Sequence, residues 1–197
     1  MRVFNSLFAI TVFFLVYSCS KQKKEEKTDD LEFRYFNLEN AGWKSRVEAQ
    51  KIDAITFKAA LVPIQYYLLK EKGREALKQV DSLYEVNKSE RIIEFIFEDE
   101  SGQDMLESKF TDLDYAESVK YMSFGINKDF YLITDKNDTI QCAGVLHERN
   151  FKVAPFTKIL LFFSGVDPDD KFQLVYDDIL YKKGKIKFRF TDPILNL

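Results

Sequence analysis

The chain has 197 residues and a net charge of −3, with 29 Lys or Arg against 32 Asp or Glu. This mild, mixed charge argues against nucleic acid as a partner, and the length suits one domain with its own core. With one histidine, His147, and two cysteines, Cys19 and Cys142, the sequence cannot assemble a structural zinc site within one copy of the chain. It also has no phosphate-binding loop, so we expect no metal and no cofactor.

The first 18 residues have the pattern of a secretory signal peptide. Arg2 supplies a positive start, and residues 7–17 form an apolar run that is too short to cross a bilayer as a stable helix. The run leads to Cys19, with a valine three positions before it and a serine directly before it. This end resembles the lipobox of bacterial lipoproteins. The resemblance implies that Cys19 receives a diacylglyceryl group, that the chain is cut before it, and that the new amino terminus is acylated with a fatty acid such as palmitate.

A cysteine that carries two or three acyl chains anchors a protein stably, whereas one chain holds it only marginally. The resemblance therefore implies a protein that is tethered to the membrane of the bacterial cell envelope through Cys19 without spanning it. The outer membrane is the expected location, and either of its faces fits. A plain secretory signal or an uncleaved anchor is the alternative.

Residues 20–30 contain no apolar side chain, so they cannot bury surface to offset the entropy of ordering and should form a flexible tether. Short charged runs of this kind are similar to the export tags of surface lipoproteins in the Bacteroidota, although a solvated spacer is the simpler interpretation. The predicted organisation is a signal peptide over 1–18, the lipidated cysteine and tether over 19–30, and a single globular α+β domain over 31–197.

A strand and two helices are predicted in the first part of this domain. Alternating apolar residues over 55–61 predict a half-buried strand. Pro63 then begins a helix over 64–72 that Gly73 ends, and apolar residues at helical spacing predict a second helix over 74–86.

The middle of the chain predicts a strand, a turn and a third helix. The strand over 91–98 leads into a polar turn, which allows the chain to return through 105–110. Thr111, with Asp114 three residues later, resembles a capping box and predicts a helix that Gly125 ends.

The rest of the chain is almost entirely strand in pattern. Strands are predicted over 130–134, 139–147, 157–163, 171–176 and 185–191. The apolar run 159–163 predicts a central strand covered on both faces, whereas alternation in the last strand predicts one buried face and one wet, basic face. We therefore predict an α+β fold, a mainly antiparallel sheet with two or three helices packed on one side.

No catalytic motif is present. The sequence lacks a glycine-rich dinucleotide loop, a phosphate-binding loop and a Gly-x-Ser-x-Gly elbow, so we expect no enzymatic activity. His147 opens a His-Glu-Arg-Asn run with the residue types for proton transfer, but Cys142 lies five residues earlier, on the opposite face of a continuous strand. At His147 we predict a strand end whose polar residues are solvated or paired with each other. We predict that Cys142 is structural and faces the interior with Ile140 and Leu146.

Charged residues near the carboxyl terminus predict surface rather than metal chemistry. Residues 167–170, Asp-Pro-Asp-Asp, differ from a calcium loop in spacing and predict an acidic turn between strands. A basic run could contact anionic lipid headgroups or cell-surface polysaccharide, or form the solvated face of an edge strand. The run comprises Lys182, Lys183, Lys185, Lys187 and Arg189.

A modification site is predicted beside a hairpin turn. Asp-Thr-Ile at 138–140 and Asp-Ser-Leu at 81–83 are similar to the acceptor motif for O-glycosylation of exported Bacteroidota proteins. Of the two, only Thr139 lies beside a predicted exposed turn, over 135–138, where a glycan would not disturb packing. Thr139 is therefore the candidate acceptor.

Three classes of function follow from these patterns. The leading hypothesis is a lipid-anchored, non-enzymatic envelope domain that binds a protein or a polysaccharide. The alternative is a carrier of a small apolar ligand, because 15% of the residues are aromatic and several strands could line a concave pocket. An enzyme whose acid and base are distant carboxylates is the third class.

Overall fold

The computed structural model describes residues 46–72, 79–150 and 153–191. The signal peptide predicted over 1–18, the lipidation site Cys19 and the tether over 19–30 lie outside these residues. So do Gly73 and the beginning of the helix predicted from residue 74.

Strands make up most of the regular structure. They are β1 (Arg46–Ile52), β2 (Ile55–Val62), β3 (Arg91–Asp99), β4 (Phe130–Thr134), β5 (Thr139–Gln141), β6 (Gly144–Glu148), β7 (Phe156–Phe163), β8 (Phe172–Asp178) and β9 (Gly184–Phe190). The helices are α1 (Ile64–Lys72), α2 (Val80–Asn87) and α3 (Tyr115–Phe124), and a 3-10 helix over Ile126–Asp129 follows α3. Within the described ranges, no helix combines the length and the apolar character that crossing a membrane requires.

The strands form two antiparallel sheets. Sheet A has the order β1-β2-β3-β7-β6, and sheet B has the order β5-β4-β8-β9. The neighbouring strands in both sheets run antiparallel, which confirms the predicted α+β fold with mainly antiparallel strands. The division into two sheets was not predicted, because an alternating strand has the same pattern whichever sheet it joins.

The core lies between the two sheets and is built from aromatic rings. Phe95 of sheet A contacts Phe130 and Phe188 of sheet B, with ring centroids 4.9 and 5.3 Å apart. Phe57 lies 6.1 Å from Tyr176, whose ring stacks on Phe130 at 4.4 Å. Such pairs add about 0.5–1.5 kcal/mol each beyond the area that they bury. Rings of the two sheets therefore meet directly and fill the space between them at this level.

Helix α1 has the predicted bounds, and it lies against the outer face of sheet A. The Tyr67 hydroxyl donates a hydrogen bond of 2.6 Å to Glu94 of β3, and Leu69 is buried. Helix α2 corresponds to the second half of the helix predicted over 74–86, and its Val80 is also buried.

Strand β7 is covered on both faces, as its unbroken apolar run predicted. It lies between β3 and β6. Leu161 is fully buried on the side that faces sheet B, and Leu160, which points the opposite way, is 5% exposed.

Helix α3 begins with a capping box, but not at the residues predicted. The carboxylate of Asp114 accepts a hydrogen bond from the Glu117 amide, and the Glu117 carboxylate accepts one from the Asp114 amide, at 2.8 and 3.2 Å. Thr111 does not cap the helix, because its hydroxyl lies 3.0 Å from the buried Ser118 hydroxyl. Gly125 ends the helix, as predicted, and its amide donates to a carbonyl in the last turn.

The segment 105–110 is a series of turns, not a returning strand. Met105 and Leu106 are adjacent in sequence and both are buried, which an alternating strand on a sheet surface does not allow. The Phe110 amide donates to the Glu107 carbonyl within the last of these turns.

The strand predicted over 139–147 is two strands that belong to different sheets. The Cys142 amide donates to the Phe130 carbonyl of sheet B at 3.2 Å, and the next amide, from Ala143, donates to the Phe162 carbonyl of sheet A at 2.8 Å. The chain therefore changes sheets between these two residues.

This change of sheet alters which side chains of β6 face the core. Val145 and His147 are paired with Leu161 and Ile159, so they share the inner face of sheet A. Leu146 points outward and is 52% exposed, so the prediction that it faces the interior is wrong. Counting alternate residues along 139–147 assigns the wrong face to Leu146, because such a count holds only within one continuous strand.

Candidate functional site

The outer face of sheet B collects the basic residues of the last strand. In β9, apolar residues that are buried alternate with exposed cations, which confirms the predicted alternation. The strand register then places residues of β8, β4 and β5 beside those cations. These residues, which we call the basic face, are Lys185, Lys187 and Arg189 of β9, Gln173, Val175 and Asp177 of β8, Tyr131 and Ile133 of β4, and Thr139 and Gln141 of β5.

The cations of the basic face differ in their partners. Lys185 lies 3.5 Å from Asp177, and the charge of Asp177, followed by Tyr131, raises the pKa of Lys185. Lys187 and Arg189 form no ion pair with any carboxylate in the part of the chain that the structure describes. The face therefore carries two exposed positive charges that have no partner there.

The two lysines before β9 do not belong to the basic face. Lys182 pairs with Asp112, and Lys183 lies 2.6 Å from Asp53. The basic run predicted from the sequence thus divides into two lysines engaged with carboxylates and three cations on the sheet surface.

Large exposed apolar side chains lie away from the basic face. Those of the described ranges are Val47, Val86, Phe124, Leu146, Val153 and Ile179, none of which belongs to a strand of sheet B. The basic face consists instead of the three cations, the Asp177 carboxylate, two amides, the Thr139 hydroxyl, the half-buried Tyr131 and Ile133, and the buried Val175.

Thr139 lies at the edge of this face. It is exposed at the beginning of β5, and it follows a tight turn in which Asn137 has a positive φ of 66°. The predicted turn over 135–138 is confirmed by the Asn137 amide, which donates to the Thr134 carbonyl at 3.0 Å. Ser82 of the second motif is exposed on α2. Glycosylation of Thr139 stays a prediction.

His147 faces the core side of sheet A next to α3. Its Nδ1 lies 3.4 Å from the Ser123 hydroxyl, which itself donates to the Val119 carbonyl at 2.8 Å. Burial, followed by the charge of Arg149, lowers the pKa of His147. The Ser123 hydroxyl thus donates its proton to the helix backbone and not to His147. The histidine therefore does not activate this serine as a nucleophile.

Cys142 is buried, as predicted. Its thiol donates to the Gly144 carbonyl at 3.1 Å, and burial raises its pKa. A thiol in this setting is a small apolar residue and a poor nucleophile.

Asp178 is the centre of a buried polar cluster at one end of sheet B. It accepts hydrogen bonds from the Tyr176 hydroxyl at 2.7 Å and from the Tyr181 and Lys183 amides, both at 2.9 Å. The Tyr181 hydroxyl, by contrast, is buried and has no hydrogen-bond partner among the described residues. Burial, followed by Asp178, raises the pKa of both tyrosines.

Asp129 lies close to this cluster. The Tyr121 hydroxyl of α3 donates to its carboxylate. Burial, followed by the charges of Asp177 and Asp178, raises the pKa of Asp129 from 3.8 to about 6. Gly125 permits this contact, because a Cβ there would lie 2.9 Å from the Tyr121 ring.

A second polar group lies under α1 on the outer face of sheet A. Lys158 is 2.7 Å from Glu148 and 3.7 Å from Glu94, which also accepts from Tyr67. Burial opposes the charge on Lys158, yet Glu148 and Glu94 raise its pKa, and burial with Glu94 raises the pKa of Tyr67. The lysine stays charged and the phenol stays neutral, so neither is prepared as a base.

The acidic residues 167–170 form a turn between β7 and β8, as predicted. Lys136 lies 3.1 Å from Asp167 and 2.6 Å from Asp170, so the turn is tied to the β4–β5 hairpin. No group of three or more His, Cys, Asp or Glu side chains within 46–72, 79–150 and 153–191 has the arrangement to hold a metal ion.

Sequence reasoning found the cations of the basic face and missed their neighbours. Tyr131 stands between the inward Phe130 and Leu132, so alternation within β4 marks it as outward. Nothing in the sequence, however, shows that β4 and β9 both flank β8. This arrangement pairs Gln173 with Arg189 and places Tyr131 on the other side of Val175 from Lys187.

The resemblance of this chain to known proteins is slight. No protein-family model matches the chain, and no curated protein matches it either. Among solved structures, the chain is similar to a protein of unknown function from Burkholderia pseudomallei K96243, with a TM-score of 0.34 and 11% identity over 85% of this chain and 86% of the other.

Proposed function

We propose that this chain is a lipid-anchored protein of the bacterial cell envelope that acts by binding an envelope component through the basic face. The observation that carries the proposal is the pair of exposed cations Lys187 and Arg189 on the outer face of sheet B, neither of them paired with a described carboxylate. Unneutralised cations on an accessible surface attract anionic partners.

The reactive side chains of the described residues support a binding function over a catalytic one. The Cys142 thiol is buried and held by the Gly144 carbonyl, and the Ser123 hydroxyl beside His147 donates to its own helix. Removing a proton from either group is opposed by these surroundings, so neither is a ready nucleophile.

The aromatic core supports a binding surface over an internal carrier site. Rings from both sheets are in contact where Phe95 meets Phe130 and Phe188. An apolar ligand between the sheets would have to displace these rings, whereas a ligand on the basic face displaces only water.

The anchor in this proposal rests on the lipobox-like residues before Cys19. Acylation there would attach the protein to the outer membrane and concentrate the basic face near envelope polymers. Wild type and Cys19→Ser, each expressed at full length in a bacterium that processes lipoproteins, test it. Wild type should yield an acylated peptide beginning at Cys19 by mass spectrometry, and Cys19→Ser should accumulate as uncut precursor. A soluble mature form of wild type would contradict the anchor.

The binding surface is tested with charge variants of the acylated protein purified in detergent. Lys187→Gln with Arg189→Gln removes the two unpaired cations, and Lys120→Gln with Lys128→Gln is the matched control, since both lysines are exposed and lie on α3 and the 3-10 helix. Cosedimentation with detergent-washed cell envelopes should fall for the first variant alone. Equal sedimentation of both variants would exclude the basic face as the binding surface.

A further inference from the structure

We propose that the ligand of the basic face is an acidic polysaccharide, a linear chain of sugars that carries carboxylate groups. This inference rests on the proposed function, because it uses the same face as the binding surface.

The charges lie along a line. Lys185, Lys187 and Arg189 are alternate residues of one strand, so successive side chains are about 7 Å apart along β9. A single phosphate or carboxylate needs donors that converge on one point, whereas a linear polyanion offers charges at intervals along its length. The arrangement on β9 therefore fits an extended polymer better than a small anion.

The arginine and its neighbours fit carboxylated sugars. A guanidinium binds a carboxylate through two parallel hydrogen bonds, which a lysine cannot do. Arg189 is paired across the strands with Gln173, and Gln141 is paired with Tyr131. The two amides can donate to and accept from sugar hydroxyls.

Tyr131 adds an apolar surface of the right kind. It is half-buried on the outer face, where it lies beside the buried Val175, and its hydroxyl interacts with Lys185. A tyrosine presents an apolar ring and a polar tip together, which suits a ligand with both C–H faces and hydroxyl groups.

A lipid surface fits this face less well. Proteins that lie on a membrane insert large apolar side chains among the lipids, in addition to their basic residues. The large apolar side chains that are exposed in the described ranges, Phe124 among them, lie outside the strands of sheet B. The basic face offers charge and hydrogen bonds without such an insertion.

The experiment measures binding of detergent-purified, acylated wild type to polygalacturonate, alginate and hyaluronate by isothermal titration calorimetry. Dextran serves as a neutral polymer, and glycerol phosphate serves as a soluble lipid-headgroup probe. Wild type should bind at least one acidic polymer and neither dextran nor glycerol phosphate. Binding should weaken as salt rises, because these charges are exposed and screened.

The two charge variants described above test whether the acidic polymer binds at the basic face. The Lys187→Gln, Arg189→Gln variant should bind the acidic polymer about tenfold more weakly, which corresponds to about 1.4 kcal/mol, and the Lys120→Gln, Lys128→Gln control should bind as wild type does. Since all four positions are exposed, thermal melts should show both variants folded.

Several results would overturn the inference: binding to none of the three acidic polymers, equal binding to dextran, preference for glycerol phosphate, or equal loss in both variants. If the Lys187→Gln, Arg189→Gln variant no longer sediments with envelopes while wild type does not bind the acidic polymers, the proposed ligand class is wrong and the basic face remains the binding surface. If the polymers bind but sedimentation is unchanged in the face variant, the proposed function fails.

Discussion

Tyr176 and Tyr181 show how one hydroxyl can stabilise a fold and another weaken it. Both side chains are buried near Asp178, but only Tyr176 donates its hydroxyl proton to that carboxylate. The Tyr181 hydroxyl has no partner in the described ranges, and an unsatisfied buried polar group costs about 1–3 kcal/mol. The two residues therefore form a matched pair for mutation.

Tyr181→Phe should leave the free energy of unfolding unchanged or raise it by up to about 1 kcal/mol, whereas Tyr176→Phe should lower it by about 1.5–3 kcal/mol because a hydrogen bond to a charged group is lost. Urea unfolding of both variants measures the difference. A loss for Tyr181→Phe as large as that for Tyr176→Phe would show that the Tyr181 hydroxyl does have a partner.

Asp129 predicts a pH dependence of stability. Its pKa is raised from 3.8 to about 6, so between these values the folded protein holds a proton that the unfolded chain releases. The free energy of unfolding should therefore fall as pH rises from about 4 to 6, and the loss should be complete above pH 6. Asp129→Asn removes this titration and keeps an acceptor for Tyr121.

Asp129→Asn should thus be more stable than wild type at pH 7.5, on the order of 2 kcal/mol, and should gain little near pH 4. Urea unfolding at the two pH values checks this. The exposed Asp135→Asn is the control for removing one surface carboxylate. A gain for Asp129→Asn that does not depend on pH would refute the role of the carboxylate charge.

At the scale of elements, the capping box of α3 gives a sharp test. Asp114→Ala removes the acceptor for the Glu117 amide and should cost about 1 kcal/mol. Thr111→Ser keeps the hydroxyl that meets Ser118 and should cost less, since Thr111 does not cap the helix. Chemical denaturation distinguishes the two. Because serine also caps helices, Thr111→Ser serves as the control, and an Asp114→Ala cost no larger than that of Thr111→Ser would contradict the cap at Asp114.

Local patterns predicted the elements whose structure is decided locally. The bounds of α1, the end of α3 at Gly125 and the alternation in β9 follow from turn residues and apolar spacing. The start of α3 was misplaced because both Thr111 and Asp114 have an acceptor at the spacing of a capping box, and only tertiary contact with Ser118 removes Thr111 from that role.

The break between β5 and β6 has no local signal. It is decided by the carbonyls of Phe130 and Phe162, which accept from Cys142 and Ala143 and lie in different sheets. The same limit applies to the candidate site: the cations of β9 are visible in the sequence, whereas Tyr131 joins them only through pairing across β8.

At the scale of the whole molecule, sheets A and B share one core and should unfold together. Phe95 contacts rings of sheet B, and the chain passes from one sheet to the other after Cys142. A single cooperative thermal transition is therefore expected when the purified protein is monitored by circular dichroism, with the same melting temperature in the presence of EDTA. Two transitions, or a large drop with EDTA, would contradict a shared, metal-independent core.

The pairing of β3 with β7 bears on when the protein can fold. Arg91 pairs with Phe163, and in the other sheet Phe130 pairs with Tyr176. Neither sheet can therefore be completed until the strands in the last quarter of the chain have been made. Contacts between residues so distant in sequence make folding slow, because a long loop must close before they form. A chain that cannot complete either sheet during its synthesis leaves the inner faces of β3 and β4 uncovered until its last quarter has been made.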